Sequence, residues 1–377
     1  MLQQLLAITR NTFFESIRQP IMLVVLVAAT VMIVLSNPLS AFTMDENQRM
    51  LVDIGLATVF MAGAILASFI ATNVLGREIE NKTALTVISK PVTRPIFLLG
   101  KYLGVSCAMG IAALYMTLVF MLVELHTVIQ TVQDPIHVPV ILFGVGGALI
   151  GVGAAAWCNY FYNMVFTSST ICITTPILLL AYLLSLNFGP DFSNQPMWVA
   201  FESQIWLAAV SIMMAILVLC SIAVAVSTRF GQLMTLVTTV GLFFLGLLSD
   251  WIFGRAIAQL ESGWLESARL KGLVQQEEVT RVMEWTTGEI DTGTTVIDVA
   301  TVPLLDMATT SEHVLFALYW IGYSVLPNFQ VLWLSDALTQ EMVIPVSYIM
   351  GTLLYGLFYA LAVLALGLIL FQRREVG

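Results

Sequence analysis

The sequence predicts an all-α polytopic membrane protein with about eight transmembrane helices, and three observations carry that expectation. Only 10% of the 377 residues are charged while 59% are hydrophobic, with a mean hydropathy of +0.92, whereas a soluble chain carries about a quarter charged residues. The apolar residues arrive in long uncharged blocks that no water-facing fold could cover. The basic residues fall unevenly on the loops that those blocks would create. A soluble enzyme, a disordered regulator and a collagen-like fibre are excluded on composition alone.

A bilayer core about 30 Å thick needs roughly 20 apolar residues in a helix rising 1.5 Å each. Uncharged runs of that size are Gln19–Met44, Ile54–Gly76, Tyr102–Val123, Ser203–Thr228, Phe230–Ser249 and Met342–Gln372. The uncharged run Pro135–Pro190 suits two spans, Val140–Trp157 and Val165–Leu184, turning at Asn159–Asn163. Before the first span, Leu2, Leu5, Leu6, Phe13 and Ile17 recur at helical spacing with Arg10, Glu15 and Arg18 off that stripe. Residues 1–19 therefore read as an amphipathic interfacial helix.

The expected organisation follows. Spans one and two occupy 20–76, a cytoplasmic loop 77–101, spans three to seven 102–250, a helical extracytoplasmic segment 251–341, and the last span and cytoplasmic tail 342–377. Alternation from an inside N-terminus gathers Arg10, Arg18, Arg77, Lys82, Lys90, Arg94, Lys101, Arg229, Arg373 and Arg374 on the cytoplasmic side, as the positive-inside rule requires. Both termini are then cytoplasmic. The acidic residues go the other way and leave the chain at −9. Segment 251–341 holds a charged helical pattern over Glu261–Glu289 and a Gly/Thr-rich turn at 286–295. It is too short and too poor in apolar residues for a large core of its own. His313–Ser335 is uncharged and about long enough to cross, but Pro327, Asn328 and Gln330 interrupt it; it reads as a helix on the outer face.

Most chemistry-bearing residue types have a bland reading. Cys107, Cys158, Cys172 and Cys220 lie inside apolar blocks without paired spacing, as small buried side chains. His126 and His137 lie near Glu124 and Asp134, and His313 stands apart; their spacing matches no metal site, so no metal is assigned. No Ser/His/Asp grouping shares a face, and no catalytic residue is assigned. Gly144, Gly147 and Gly151, with Ala155, form a small-residue stripe expected to pack against another helix. Pro176 is tolerated in its span. Asp53, Glu124, Glu202 and Asp250 sit at span ends, whereas ion-coupled carriers place charges within the spans.

The loop 77–101 carries the most information. Glu78 and Glu80 suit the first turn of a helix, where carboxylates favour the macrodipole. Leu85, Val87 and Ile88 give a short apolar face, Pro91 stops the helix, and Lys90, Arg94 and Lys101 face anionic headgroups or an acidic partner. These residues fit either a short helix receiving a soluble protein or an ordinary basic loop.

The run resembles the cytoplasmic loop of type-2 ATP-binding-cassette permeases, through Glu78, Glu80, Thr83, Pro91, Arg94, Gly100 and Lys101, with Lys82 where that family usually has Gly. Thr12–Arg18 before the first span and Leu370–Glu375 at the end fit the same family. Leu326–Phe329 resembles an outer segment of a branch linked to multicopper-enzyme maturation. Most of the family has six spans, and this chain has an additional hairpin. The resemblance implies the permease subunit of an exporter. A separate ATPase would dock on the loop and hold the ATP and magnesium, and a second permease copy would complete a homodimer in a prokaryotic cytoplasmic (inner) membrane. No cofactor in this chain and no nucleic acid are implied. Consistently, Gly100–Lys101–Tyr102 lacks the upstream glycine and the Ser/Thr of a phosphate-binding loop. Two other readings stand beside it: a membrane scaffold or assembly factor coupling an ATPase to an extracytoplasmic partner through the acidic outer segment, and an ion-coupled secondary transporter.

Overall fold

A computed structural model describes residues 2–42, 47–80, 93–128, 136–285 and 290–372. The chain divides into two compact units, residues 1–240 with 346–377, and residues 241–345.

The first unit is a helix bundle. It opens with α1 (Leu2–Ile17), followed by six helices long and apolar enough to cross a membrane: α2 (Pro20–Ser40), α3 (Asn47–Glu80), α4 (Arg94–His126), α5 (Val138–Tyr162), α6 (Phe166–Ser185) and α7 (Ser203–Ser227). A seventh, α12 (Val346–Gln372), ends the described chain. Their placement follows the uncharged runs. The turn between α5 and α6 lies later than expected, because α5 continues to Tyr162 and the reversal is made at Asn163 (φ 52°, ψ 30°). Asparagine tolerates that left-handed conformation, and the Asn159 amide donates to the Met164 carbonyl at 2.6 Å to hold the turn.

The expected span Phe230–Ser249 is a shorter helix, α8 (Gln232–Leu247), continued through a π-helical turn at Asp250–Gly254 into α9 (Arg255–Leu270), with a bend of 47°. Sixteen residues rise about 24 Å, so α8 crosses a bilayer core only as the first part of a bent pair. The boundary between the units falls within α8.

The second unit corrects the expectation of a helical segment. The charged helical pattern over Glu261–Glu289 holds to Leu270, where α9 ends. Beyond it, β1 (Val274–Glu284) pairs antiparallel with β2 (Ile290–Ala300) in unbroken register from Val274↔Ala300 to Glu284↔Ile290. The reason is local: Val274, Val279, Thr280 and Val282, then Thr292, Thr294, Thr295, Val296, Ile297 and Val299, are β-branched residues that favour a pleated strand. Residues 291–295, expected in a turn, belong to β2, and 286–289 lie outside the described residues.

The segment expected on the outer face is α10 (Thr310–Val325), 16 residues opened by a capping box in which Thr309 and Glu312 satisfy each other's end of the first turn. It stops at Leu326, which takes the extended conformation required before Pro327. A short α11 (Ser335–Thr339) follows. The Leu326–Phe329 motif makes the centre of this unit. Asn328 Nδ2 donates to the Tyr323 hydroxyl at 2.7 Å while its Oδ1 accepts from the Gln330 and Val331 amides. Phe329, fully buried, packs on Phe243 with ring centroids 5.7 Å apart.

Candidate functional site

Of the seven loop residues, Thr83 and Pro91 lie outside the described residues. Glu78 and Glu80 fall in the last turn of α3 rather than the first turn of a separate helix. At 34 residues α3 rises about 51 Å and at 33 residues α4 about 50 Å, both longer than a bilayer core of about 30 Å. The two helices joined by residues 81–93 therefore extend well past the membrane at one or both ends. Charged residues did not end them, because Glu, Lys and Arg are good helix formers.

Arg94, Gly100 and Lys101 stand in the first turns of α4, not in a loop. Thr93 precedes the helix in extended conformation and Pro95 sits in its first turn, a position where its missing N–H is no loss. Arg94 turns toward the end of α12: its Nη1 donates to the carbonyls of Phe371 at 3.1 Å and Gln372 at 2.8 Å. Both carbonyls stand in the last described turn of that helix. The guanidinium carbon lies 5.7 Å from the Phe371 ring centroid, and Phe97, buried one turn on, stacks against the same ring at 6.1 Å.

The next turn faces α1. A Cβ on Gly100 would come within 2.8 Å of Ile8, and one on Gly104 within 2.5 Å of the Thr12 side chain and 2.7 Å of the Thr9 carbonyl. The two glycines, four apart, let α1 cross α4 at near backbone contact. Between them Lys101, 2% exposed, points its ammonium at Glu15 Oε2, 3.4 Å away, and lies 5.9 Å from the Phe97 ring centroid.

The face of α1 that makes this contact is not the leucine stripe. Ile8, Thr9 and Thr12 meet α4 together with the Leu5 carbonyl, and Thr12, Ser16 and Ile17 are buried. Leu2 and Leu6 are 70% and 58% exposed. Small hydroxylated residues allow the close crossing, and the leucines are left for the membrane. Sequence reasoning missed Ile8, Thr12, Gly104 and the Glu15–Lys101 pair; the Gly-x-x-x-Gly spacing from Gly100 to Gly104 was the available signal.

The other singled-out residues lie elsewhere in the same unit. Gly151 abuts the Thr174 backbone of α6, Gly147 faces Ile177 and Ala181, and Gly144 faces Leu122 of α4. His137 is buried before α5, where burial and His126 hold its imidazole below the ordinary range. Among the described residues no three His, Cys, Asp or Glu side chains gather where they could hold a metal.

The arrangement makes α4 a junction. It begins immediately after residues 81–93, and its first turns grip the end of the last span through Arg94 and Phe97 and the interfacial helix through Gly100, Lys101 and Gly104.

No curated protein and no solved structure gives a match. A family model described as ABC-2 family transporter protein matches residues 6–158, a stretch running from α1 to near the end of α5 that contains all seven loop residues. Over that stretch, less than half of the 377 residues, the chain is similar to ABC-2 family transporter proteins.

Proposed function

We propose that the chain is the permease of an exporter, paired with a second copy of itself, with both termini cytoplasmic, and driven by a separate ATPase that docks on residues 77–101. ATP and magnesium belong to that ATPase. Glu78, Glu80, Thr83 and Pro91 are the docking contacts. Arg94, Gly100 and Lys101, turned toward α12 and α1, carry the motion into the membrane instead of touching the motor. The observation that supports this division is the double grip of α4 just after the loop.

Co-purification of the ATPase tests it. Charge reversal at Glu78 and Glu80 abolishes association, whereas Arg94→Ala retains the ATPase and loses stimulated hydrolysis. Undiminished association and hydrolysis in the reversed pair would refute the docking assignment. Labelling of a cysteine placed at Lys90 from outside intact cells would refute the orientation.

One observation favours the scaffold as a second reading. The β1–β2 hairpin is almost wholly exposed and carries Glu277, Glu278, Glu284, Asp291 and Asp298, a surface for an extracytoplasmic partner. Stimulation of ATP hydrolysis by a transported compound in liposomes separates the two: an exporter responds to its cargo and a scaffold to none.

A further inference from the structure

Where α1 turns into α2, a cleft of about 530 Å³ opens, lined by Asn11, Phe14, Glu15, Arg18 and Gln19, with Asn73 of α3 on its wall. Its depth in the membrane is set by its neighbours. Pro20, on the rim, opens the first apolar span, and the exposed leucines of α1 keep that helix in the interface. The cleft therefore sits at the level of lipid headgroups.

Its chemistry is that of an anion site. Glu15 is engaged by Lys101 at 3.4 Å, which offsets its charge. Gln19 Oε1 already accepts from the Asn73 amide at 3.2 Å, and Asn73 Oδ1 accepts from Gln232. Arg18, Asn11 and Gln19 line the same space and bring to it a guanidinium and two side-chain amides. Arg18 makes no ion pair among the described residues. Its guanidinium carbon lies 5.6 Å from the Phe14 ring centroid, and that of Arg10 lies 5.8 Å from the same centroid. One aromatic ring thus holds two cations at the edge of an apolar phase. Cation–π contact orients them without neutralising them, and a planar guanidinium fork matches phosphate oxygens two at a time.

We infer that this cleft binds a phosphate ester at the membrane surface, with Arg18 as its principal contact and Asn11 and Gln19 as supporting donors. The source is the phosphodiester of a phospholipid or a soluble phosphate ester, and the test separates them. Full-length protein purified in mild detergent is presented with phosphatidylglycerol in native mass spectrometry, and with glycerol phosphate at millimolar concentration by calorimetry. Arg18→Ala and, as a milder second variant, Arg18→Gln lower occupancy at least fivefold, whereas Arg229→Ala, an exposed arginine outside the cleft, leaves it unchanged. Phosphatidylglycerol retained against glycerol phosphate assigns the lipid. Binding of glycerol phosphate alone, lost in Arg18→Ala, assigns the soluble ester. Equal binding by wild type and both Arg18 variants, or no binding of either probe by wild type, would overturn the site.

Discussion

The Glu15–Lys101 pair yields an asymmetric prediction. Lys101 is 3% exposed at its side chain and Glu15 is 37% exposed. Replacing Glu15 with alanine removes the carboxylate from beside an ammonium that water barely reaches. Taking one partner from a buried pair costs about 3–5 kcal/mol. Replacing Lys101 with methionine leaves a carboxylate that water already reaches, and the thioether chain refills the apolar volume. That change costs about 1 kcal/mol or less, as for an exposed pair. At roughly 2 °C per kcal/mol for a chain of this size, Glu15→Ala lowers the unfolding midpoint by about 6–10 °C and Lys101→Met by about 2 °C. The double variant lies nearer Lys101→Met than Glu15→Ala, since no buried charge remains. The assay is thermal unfolding of the full-length protein in one detergent, all variants side by side. Equal losses from the two single variants, or a larger loss from Lys101→Met, would refute the assignment of Lys101 as the desolvated partner.

Three further outcomes are expected. Arg94→Ala loses two charge-assisted hydrogen bonds to the end of α12 and costs about 2 kcal/mol; amide exchange near Phe371 rises by more than an order of magnitude, and Arg94→Lys recovers only part of the protection because a single ammonium lacks the fork. Gly104→Ala drives a methyl into Thr12 and the Thr9 carbonyl and costs about 1–3 kcal/mol. Gly146→Ala and Gly153→Ala, where a Cβ meets nothing within 4 Å, gain about 0.5–1 kcal/mol each from helix propensity, and opposite signs in thermal melts check the contrast. Glu312 accepts from the Thr309 amide and hydroxyl and from Trp264 Nε1, and these bonds hold its carboxyl below the usual carboxylate range. A depressed folded value means the contribution is complete above the unfolded pKa of about 4.5 and is lost as pH falls through the folded one. The tryptophan emission of wild type therefore changes below about pH 4.5 by a component absent from Glu312→Gln.

The spans were legible because hydrocarbon imposes one requirement, about 20 uncharged residues, and seven of the eight expected spans are helices long and apolar enough to cross. Where helices leave the membrane that signal ends. Glu78, Glu80, Arg94 and Lys101 break an apolar run without breaking a helix, so a cytoplasmic loop was expected where α3 and α4 continue. The hairpin was missed for a related reason: glutamates around Glu277 and Glu284 fit a helix by charge, while the β-branched residues between them decide for strands only once a partner strand is present. The face of α1 was illegible because hydrophobic stripes report where lipid lies. Helix contact in a membrane is made by Ile8, Thr12, Gly100 and Gly104, residues chosen for shape.

The matched stretch, residues 6–158, does not contain the helix on which the bundle is built. Of the span windows α7 is the most buried, at 78%, whereas α2 and α5 reach 28% and α12 only 22%. Gly63 of α3 leaves room for Ile216, Gly356 of α12 lies against Met214, and Gly367 of α12 against the Ala225 backbone. The centre of α7 is thus enclosed by one helix from within the matched stretch and one from the far end of the chain. Without α7, the buried faces of α3 and α4 that meet it would open to lipid. The start of α4 sits in a bundle that is complete only with α7 and α12 from the second half of the chain. The compact bundle is therefore the whole first unit, which extends beyond the part that the family match covers.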